Sequence, residues 1–242
     1  MKRSLIVAQA LCALALCQAA LAETYRAPRN ADNQPDLQGA WEAQTTASFD
    51  LQDHAGSFGI PPGLGVVEGG VIPYKPEALA KKESNFKNRA EADPNAKCFL
   101  PGVPRANLMP FPFQIFETAK YVAILYEYVH AYRLIPLDGS QHPDDVDFWM
   151  GDSRGHWEGD TLVVDVANNH DETWLDASGD YHSDALHVVE RYTRTGADTI
   201  SYEATIEDPK VFTRPWKIKL NLYRRPEKNF QLMEYDCYAY EK

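Results

Sequence analysis

The 242-residue chain carries 35 acidic against 24 basic side chains, a net charge of −11, with 44% hydrophobic and 12% aromatic residues. That excess of negative charge repels phosphate backbones and anionic lipid, which excludes nucleic acid as a partner. The length allows one domain or at most two.

Residues 1–22 have the layout of a signal peptide. Lys2 and Arg3 precede an apolar run from Leu5 to Leu16, and Ala20-Leu21-Ala22 offers a small-x-small cleavage site before Glu23. The run is too short to anchor the chain across a bilayer. Cys17 raises a lipoprotein alternative, against which Leu16 is bulky for that processing. Cleavage after Ala22 leaves 220 residues with 22 basic against 35 acidic side chains, a net charge of −13. It also leaves two cysteines, Cys98 and Cys237, for which a disulfide in an oxidising periplasmic or secreted setting is the simplest use.

After a polar start, Leu37 to Glu42 reads as the first strand. The stretch 49–73, crowded with glycine, reads as a flexible loop or lid, since it lacks the Gly-Lys-Ser/Thr ending of a phosphate loop. Pro76 to Ala92 is the one good helix candidate, with proline at its start and helix formers following. Its apolar face, Leu79 and Phe86, is thin, so it belongs on the surface. Residues 98–113 carry four prolines and are expected to run extended without a full ladder.

From Phe113 the pattern is strand, turn, strand. Phe113–Thr118, Tyr121–Glu127 and His130–Pro136 are rich in aromatic and β-branched residues, and Asp138-Gly139 marks a turn. Phe148–Asp152 precedes a hairpin whose arms, 155–157 and 161–166, flank Glu158-Gly159-Asp160. A polar loop at 168–183 leads to four strands at meander spacing, 185–194, 198–207, 215–224 and 230–240. In 216–222 the apolar residues fall on even positions, so one face is buried and one wet. The fold expected is mainly β, an antiparallel meander of about ten strands closing into a barrel, with one surface helix and a loop and helix insertion at about 49–112.

Gly39-Ala40-Trp41 on the first strand, the long loop after it, the meander and Arg224 on a late strand resemble the lipocalin and wider calycin pattern. That resemblance implies a tryptophan at the closed end of the barrel packed under an arginine from the far end of the chain. Trp149-Met150-Gly151-Asp152-Ser153-Arg154-Gly155, Trp157 to Val164, Thr173-Trp174-Leu175-Asp176 and His182 to Leu186 resemble a family of secreted bacterial proteins. This second resemblance implies a Gram-negative periplasmic or secreted setting and no mechanism.

Few residues are placed for chemistry. Gly151-x-Ser153-x-Gly155 has the spacing of a nucleophile elbow, yet a hairpin signal follows the serine where the elbow needs a helix. The histidines lack metal-ligand spacing. Asp176, Ser178, Asp180, His182 and Asp184 alternate as calcium-loop ligands would, but the glycine is misplaced and no glutamate closes the loop. No metal or cofactor is therefore expected.

Glu190 shares a strand face with Leu186, Val188 and Tyr192. It is either buried and poised as a general acid, or outward and paired with a neighbouring arginine. Tyr126, Tyr128, His130 and Tyr132 share one parity and read as a pocket wall, or as core with a satisfied histidine. Asn169 and Trp174, with His182 and Asp184, lie in a loop expected to meet the Glu190 face at one barrel mouth, or to be a solvated acidic loop.

The leading expectation is a barrel that binds a small aromatic or sugar-like ligand at its open end, contacted by Tyr126, Tyr128, Tyr132, Asn169, Trp174 and Tyr192. The alternative is a cofactor-independent acid–base lyase, isomerase or hydrolase in which Glu190 and His130 act with His182 and Asp184. Neither reading fixes an oligomeric state.

Overall fold

Alternation sets the inward face of most strands. In the computed structural model, which describes residues 25–238, the nine strands are β1 (Gly39–Ala43), β2 (Phe113–Glu117), β3 (Tyr121–Tyr126), β4 (Tyr132–Pro136), β5 (Asp152–Glu158), β6 (Thr161–Ala167), β7 (His187–Gly196), β8 (Thr199–Glu207) and β9 (Trp216–Arg224). Val188, Tyr192, Ile200, Tyr202, Ile206, Ile218 and Leu222 on β7–β9 are wholly buried. Burying each such side chain contributes about 1.5–3 kcal/mol. Glu203 faces outward to Lys217. The signal-like residues 1–22 lie outside the described residues.

The strands form a nearly closed antiparallel barrel in the order β4-β3-β2-β1-β9-β8-β7-β6-β5. The last strand pairs with the first, Trp41 opposite Arg224. The Arg224 guanidinium lies 4.2 Å from the Trp41 ring centre and donates to the Gln38 carbonyl. Every ladder is antiparallel, and nine is odd, so the two end strands, β4 and β5, run the same way. Parallel neighbours cannot be joined by a hairpin. Residues 137–151 make the return along the barrel, and no ladder joins β4 to β5.

Side chains close this seam. Ile135 of β4 fills the space a Cβ would take at Gly155 of β5, with Ile135 Cγ2 only 2.7 Å from that position. Two residues earlier on each strand, Arg133 donates to the Ser153 hydroxyl at 2.9 and 3.2 Å. Gly151 has φ +64°, and a side chain there would strike Asn169. The Gly151-x-Ser153-x-Gly155 spacing thus belongs to the seam, with Ser153 buried in a strand and no helix behind it.

The helix α1 (Pro76–Ala92) buries only Ala78, as its thin apolar face predicts. The proline-rich stretch behaves differently from expectation. Residues 101–109 are buried throughout, with a short 3₁₀ turn at Arg105–Asn107. Arg105 makes a two-pronged ion pair with Asp93, at 2.8 and 2.7 Å, and the turn pushes Asn107 into the barrel. The prolines remove donors that could not be satisfied there.

Two further expectations need correction. Residues 126–134 are not one face: Val129 and His130, at φ 47° and 52°, form a reversal closed by Ala131 N–H to Tyr128 O. A β-branched residue rarely adopts that region, so nothing in the composition announces the turn. The segment 230–238 is not a sheet strand. It crosses the 127–130 turn, where Tyr235 bridges Tyr128 and Met233 N–H donates to Glu127.

A disulfide joins Cys98 to Cys237, 139 residues apart, and ties the tail to the insertion. Replacing both cysteines by serine is expected to lower unfolding stability by about 3–5 kcal/mol, from the lost loop constraint. A denaturant melt of the double variant checks this. An unchanged midpoint would mean that the tail's contacts hold it unaided.

Candidate functional site

The barrel interior is built around one carboxylate. Glu190 projects inward from the middle of β7, between Val188 and Tyr192, with no exposed surface. Its Oε1 accepts from Asn107 Nδ2 at 2.7 Å, Tyr202 OH at 2.8 Å, Tyr192 OH at 2.9 Å and Arg133 Nη1 at 3.2 Å. Its Oε2 accepts from Arg133 Nη2. Asn107 completes the set, donating also to Tyr192 and accepting from Tyr126 OH at 2.8 Å.

The electrostatics follow from that enclosure. Burial works against the Arg133 charge and Glu190 works for it, and the balance holds the guanidinium well above its ordinary range. Burial, then the Glu190 charge, pushes Tyr192 and Tyr202 well above the usual phenol value. Burial raises Tyr126 to about 12. All three phenols are therefore neutral donors at physiological pH.

A cleft of about 470 Å³ lies over the β4–β5 seam, directly outside this network. Leu100, Tyr132, Leu134, Phe148, Trp149 and Met150 supply its apolar walls, with Arg133 and Ser153 at the seam itself. Tyr132 is 71% and Leu134 54% exposed. Trp149 stacks on Phe99 at 4.7 Å and on His170 at 4.4 Å, nearly parallel to both, which stiffens the rim.

The expected site residues divide between these places. Tyr126, Tyr192 and Glu190 meet inside the barrel, while Tyr132 and His130 line the outer cleft. Tyr128 is buried against Phe111 and Tyr235 and donates to Asn95 O. Asn169 is buried and donates to Leu186 O, and Trp174 is buried in its loop.

The four residues of the acid–base reading are not brought together. His130 is exposed and faces Asp236 of the tail at 3.5 Å. His182 is buried, its Nδ1 on the Ser183 carbonyl and its Nε2 2.6 Å from Thr173 Oγ1, and burial lowers its proton affinity. Asp184 is exposed on Lys210. None of the three is among the hydrogen-bond partners of Glu190.

Arg133, Asn107 and Tyr202 are the residues that the sequence reading passed over, and Ser153 was weighed only as an elbow serine. Arg133 sits between Ala131 and Ile135, both buried, and that apolar parity was its signal. Once the reversal at 129–130 is placed, Arg133 turns inward and Tyr132 outward. For Asn107, inside an irregular proline-rich run, periodicity offers no signal.

A second polar chain lies on the outer wall. His142 joins Asp152 at 2.6 Å and Asp165 at 2.7 Å, and His187 joins the other Asp165 oxygen at 2.9 Å. The hydrogen bond to Asp165 raises the His187 proton affinity, and the same bond lowers that of Asp165.

Replacing Arg133 by Met is expected to cost about 3–5 kcal/mol, because it leaves Glu190 buried without its counter-charge. Adding Glu190→Gln should recover part of that loss, and urea melts of the two single variants and the double variant read the coupling. A fully additive cycle would remove the ion pair from its central place. The His187–Asp165 pair predicts a pH effect: its stabilisation is complete below about pH 6.5, the ordinary histidine value, and fades as pH rises through the raised one. His187→Asn should flatten stability over that alkaline limb, measured by thermal melts from pH 6 to 9. An equally steep variant would exclude this pair as the cause.

No protein-family model, curated protein or solved structure matches the chain.

Proposed function

We propose that this chain is a secreted or periplasmic calycin-like barrel that binds a small, flat aromatic or sugar-like molecule, and that the ligand lies in the cleft over the β4–β5 seam. The observation that carries the reading is that cleft, about 470 Å³, walled by exposed Tyr132, Leu134 and Phe148 beside the Trp149 stack. Its size and apolar lining with a few polar groups suit a small organic ligand. The exposed aromatic side chains supply contact area at little entropic cost. The barrel interior is the poorer candidate, because residues 101–109 and the Glu190 network occupy it.

The compartment is part of the proposal. A disulfide between Cys98 and Cys237 suits an oxidising environment, and the signal-like start of the chain agrees with it. An acid–base enzyme built on Glu190 is the weaker reading. Both of its oxygens are taken up by internal donors, and His130 stands outside with Asp236.

Calorimetric titration of the mature chain against phenolic acids, indoles and mono- and disaccharides tests this. At least one class should bind with a Kd of about 1 mM or tighter, roughly −4 kcal/mol. Tyr132→Ala and Phe148→Ala should weaken it about tenfold while moving stability by less than about 0.5 kcal/mol, since both positions are exposed. Binding that survives both substitutions unchanged would move the ligand elsewhere, and no binding in any class would end the proposal.

A further inference from the structure

The loop between β6 and β7 does not lie in solvent. Thr173 to Asp176 and Ser178 to His182 are buried, and the loop packs beneath the insertion that follows β1. Ala177 N–H donates to Ser48 O, Leu51 N–H to Asp176 Oδ2, and Tyr74 OH to Asp180 Oδ1. Two carboxylates with no exposed surface, Asp176 and Asp180, are thereby placed beside a third, Asp50.

The geometry points to a divalent cation site made by Asp50, Asp176 and Asp180, with calcium the ion whose size and ligand preference fit. One oxygen from each carboxylate lies within 4.8 Å of the others. A calcium ion takes oxygen ligands at about 2.3–2.6 Å, so one ion can reach all three. The donor set holds only oxygen, which favours a hard cation over zinc or copper.

A second observation singles out Asp180. Its Oδ1 is satisfied by Tyr74, but its Oδ2 is buried without any hydrogen-bond partner. The nearest cation, Lys82 Nζ, is 3.8 Å away, beyond hydrogen-bond reach. A buried carboxylate oxygen left in that state costs several kcal/mol. The other two carboxylates are pre-oriented: Asp176 Oδ1 accepts from Asp180 N–H, and Asp50 accepts from Ser178 Oγ at 2.8 Å and from Gln52 N–H.

The alternation of Asp176, Ser178 and Asp180 suits a calcium loop, but the misplaced glycine and the missing closing glutamate argue against an EF-type one. The third carboxylate comes instead from a distant part of the chain, in the insertion. An ion here would clamp that insertion to the β6–β7 loop. The competing arrangement is a proton shared between Asp176 and Asp180.

The test is the melting temperature of the mature chain after chelation, with calcium or magnesium chloride titrated to 10 mM. Calcium should raise it saturably, by several degrees and more than magnesium does. No shift with either ion would overturn the site in favour of the shared proton, as would an Asp176→Asn variant as stable as the chelated parent that still responds fully to calcium. Asp180→Asn should abolish the calcium shift, and a full shift in a folded Asp180→Asn chain would likewise overturn the assignment. Should that variant not fold, Lys82→Gln on the half-buried side of the helix serves. Removing the nearby ammonium should lower the calcium concentration at half-shift at least about threefold, and an unchanged or higher concentration would place the ion elsewhere.

Discussion

The ion pair between Arg133 and Glu190 is the contact on which the rest of the barrel depends. It spans the interior from the end strand β4 to β7, two strands with no ladder between them. Arg133 also reaches Ser153 on β5, which makes one side chain the bridge across the seam and the counter-charge of the core. Burying two charges is costly. Four hydrogen-bond donors besides the guanidinium's Nη2 contact share the Glu190 carboxylate, which is the condition under which such a pair can be tolerated.

The seam itself is a consequence of counting. An antiparallel meander of nine strands cannot close without one parallel neighbour pair, and that pair must be served by a long return. Residues 137–151 are that return, and they supply Asp147, Phe148, Trp149 and Met150 to the wall of the cleft. The place where backbone pairing fails is therefore also a place where apolar side chains are exposed. Inside the barrel, by contrast, the Asn107 turn takes up the room beside Glu190.

One end of the barrel carries nearly all of the irregular chain. The insertion after β1, the 127–131 turn, the β6–β7 loop and the tail fastened by the disulfide all gather there, over the strand ends near Ala43, Phe113 and His187. These segments have little secondary structure of their own. They are held by side-chain locks, Arg105 with Asp93, Tyr74 with Asp180, and Ser183 with Asp208. Among the described residues no helix is long and apolar enough to cross a membrane.

The strands after Phe113 and the helix at Pro76–Ala92 were legible because period-2 alternation and helix-forming composition are local properties. For Glu190 the pattern left two readings open, buried acid or outward partner of an arginine, and the structure combines burial with the arginine. The tail beyond 230 carries the same composition as a strand, yet the disulfide and the Tyr128–Tyr235 contact hold it across a turn instead. Asn107 was not legible, since it sits in an irregular run that periodicity does not register, and the parity signal at Arg133 was masked by the unannounced reversal at Val129 and His130. The grouping of Asp50 with Asp176 and Asp180 joins segments far apart in the chain. Along most strands the inward-facing residues can be read from the chain alone, because they depend only on neighbours two positions away. Which charges meet is fixed only in the folded molecule, because it depends on the odd strand count and on how two long loops pack over one end of the barrel.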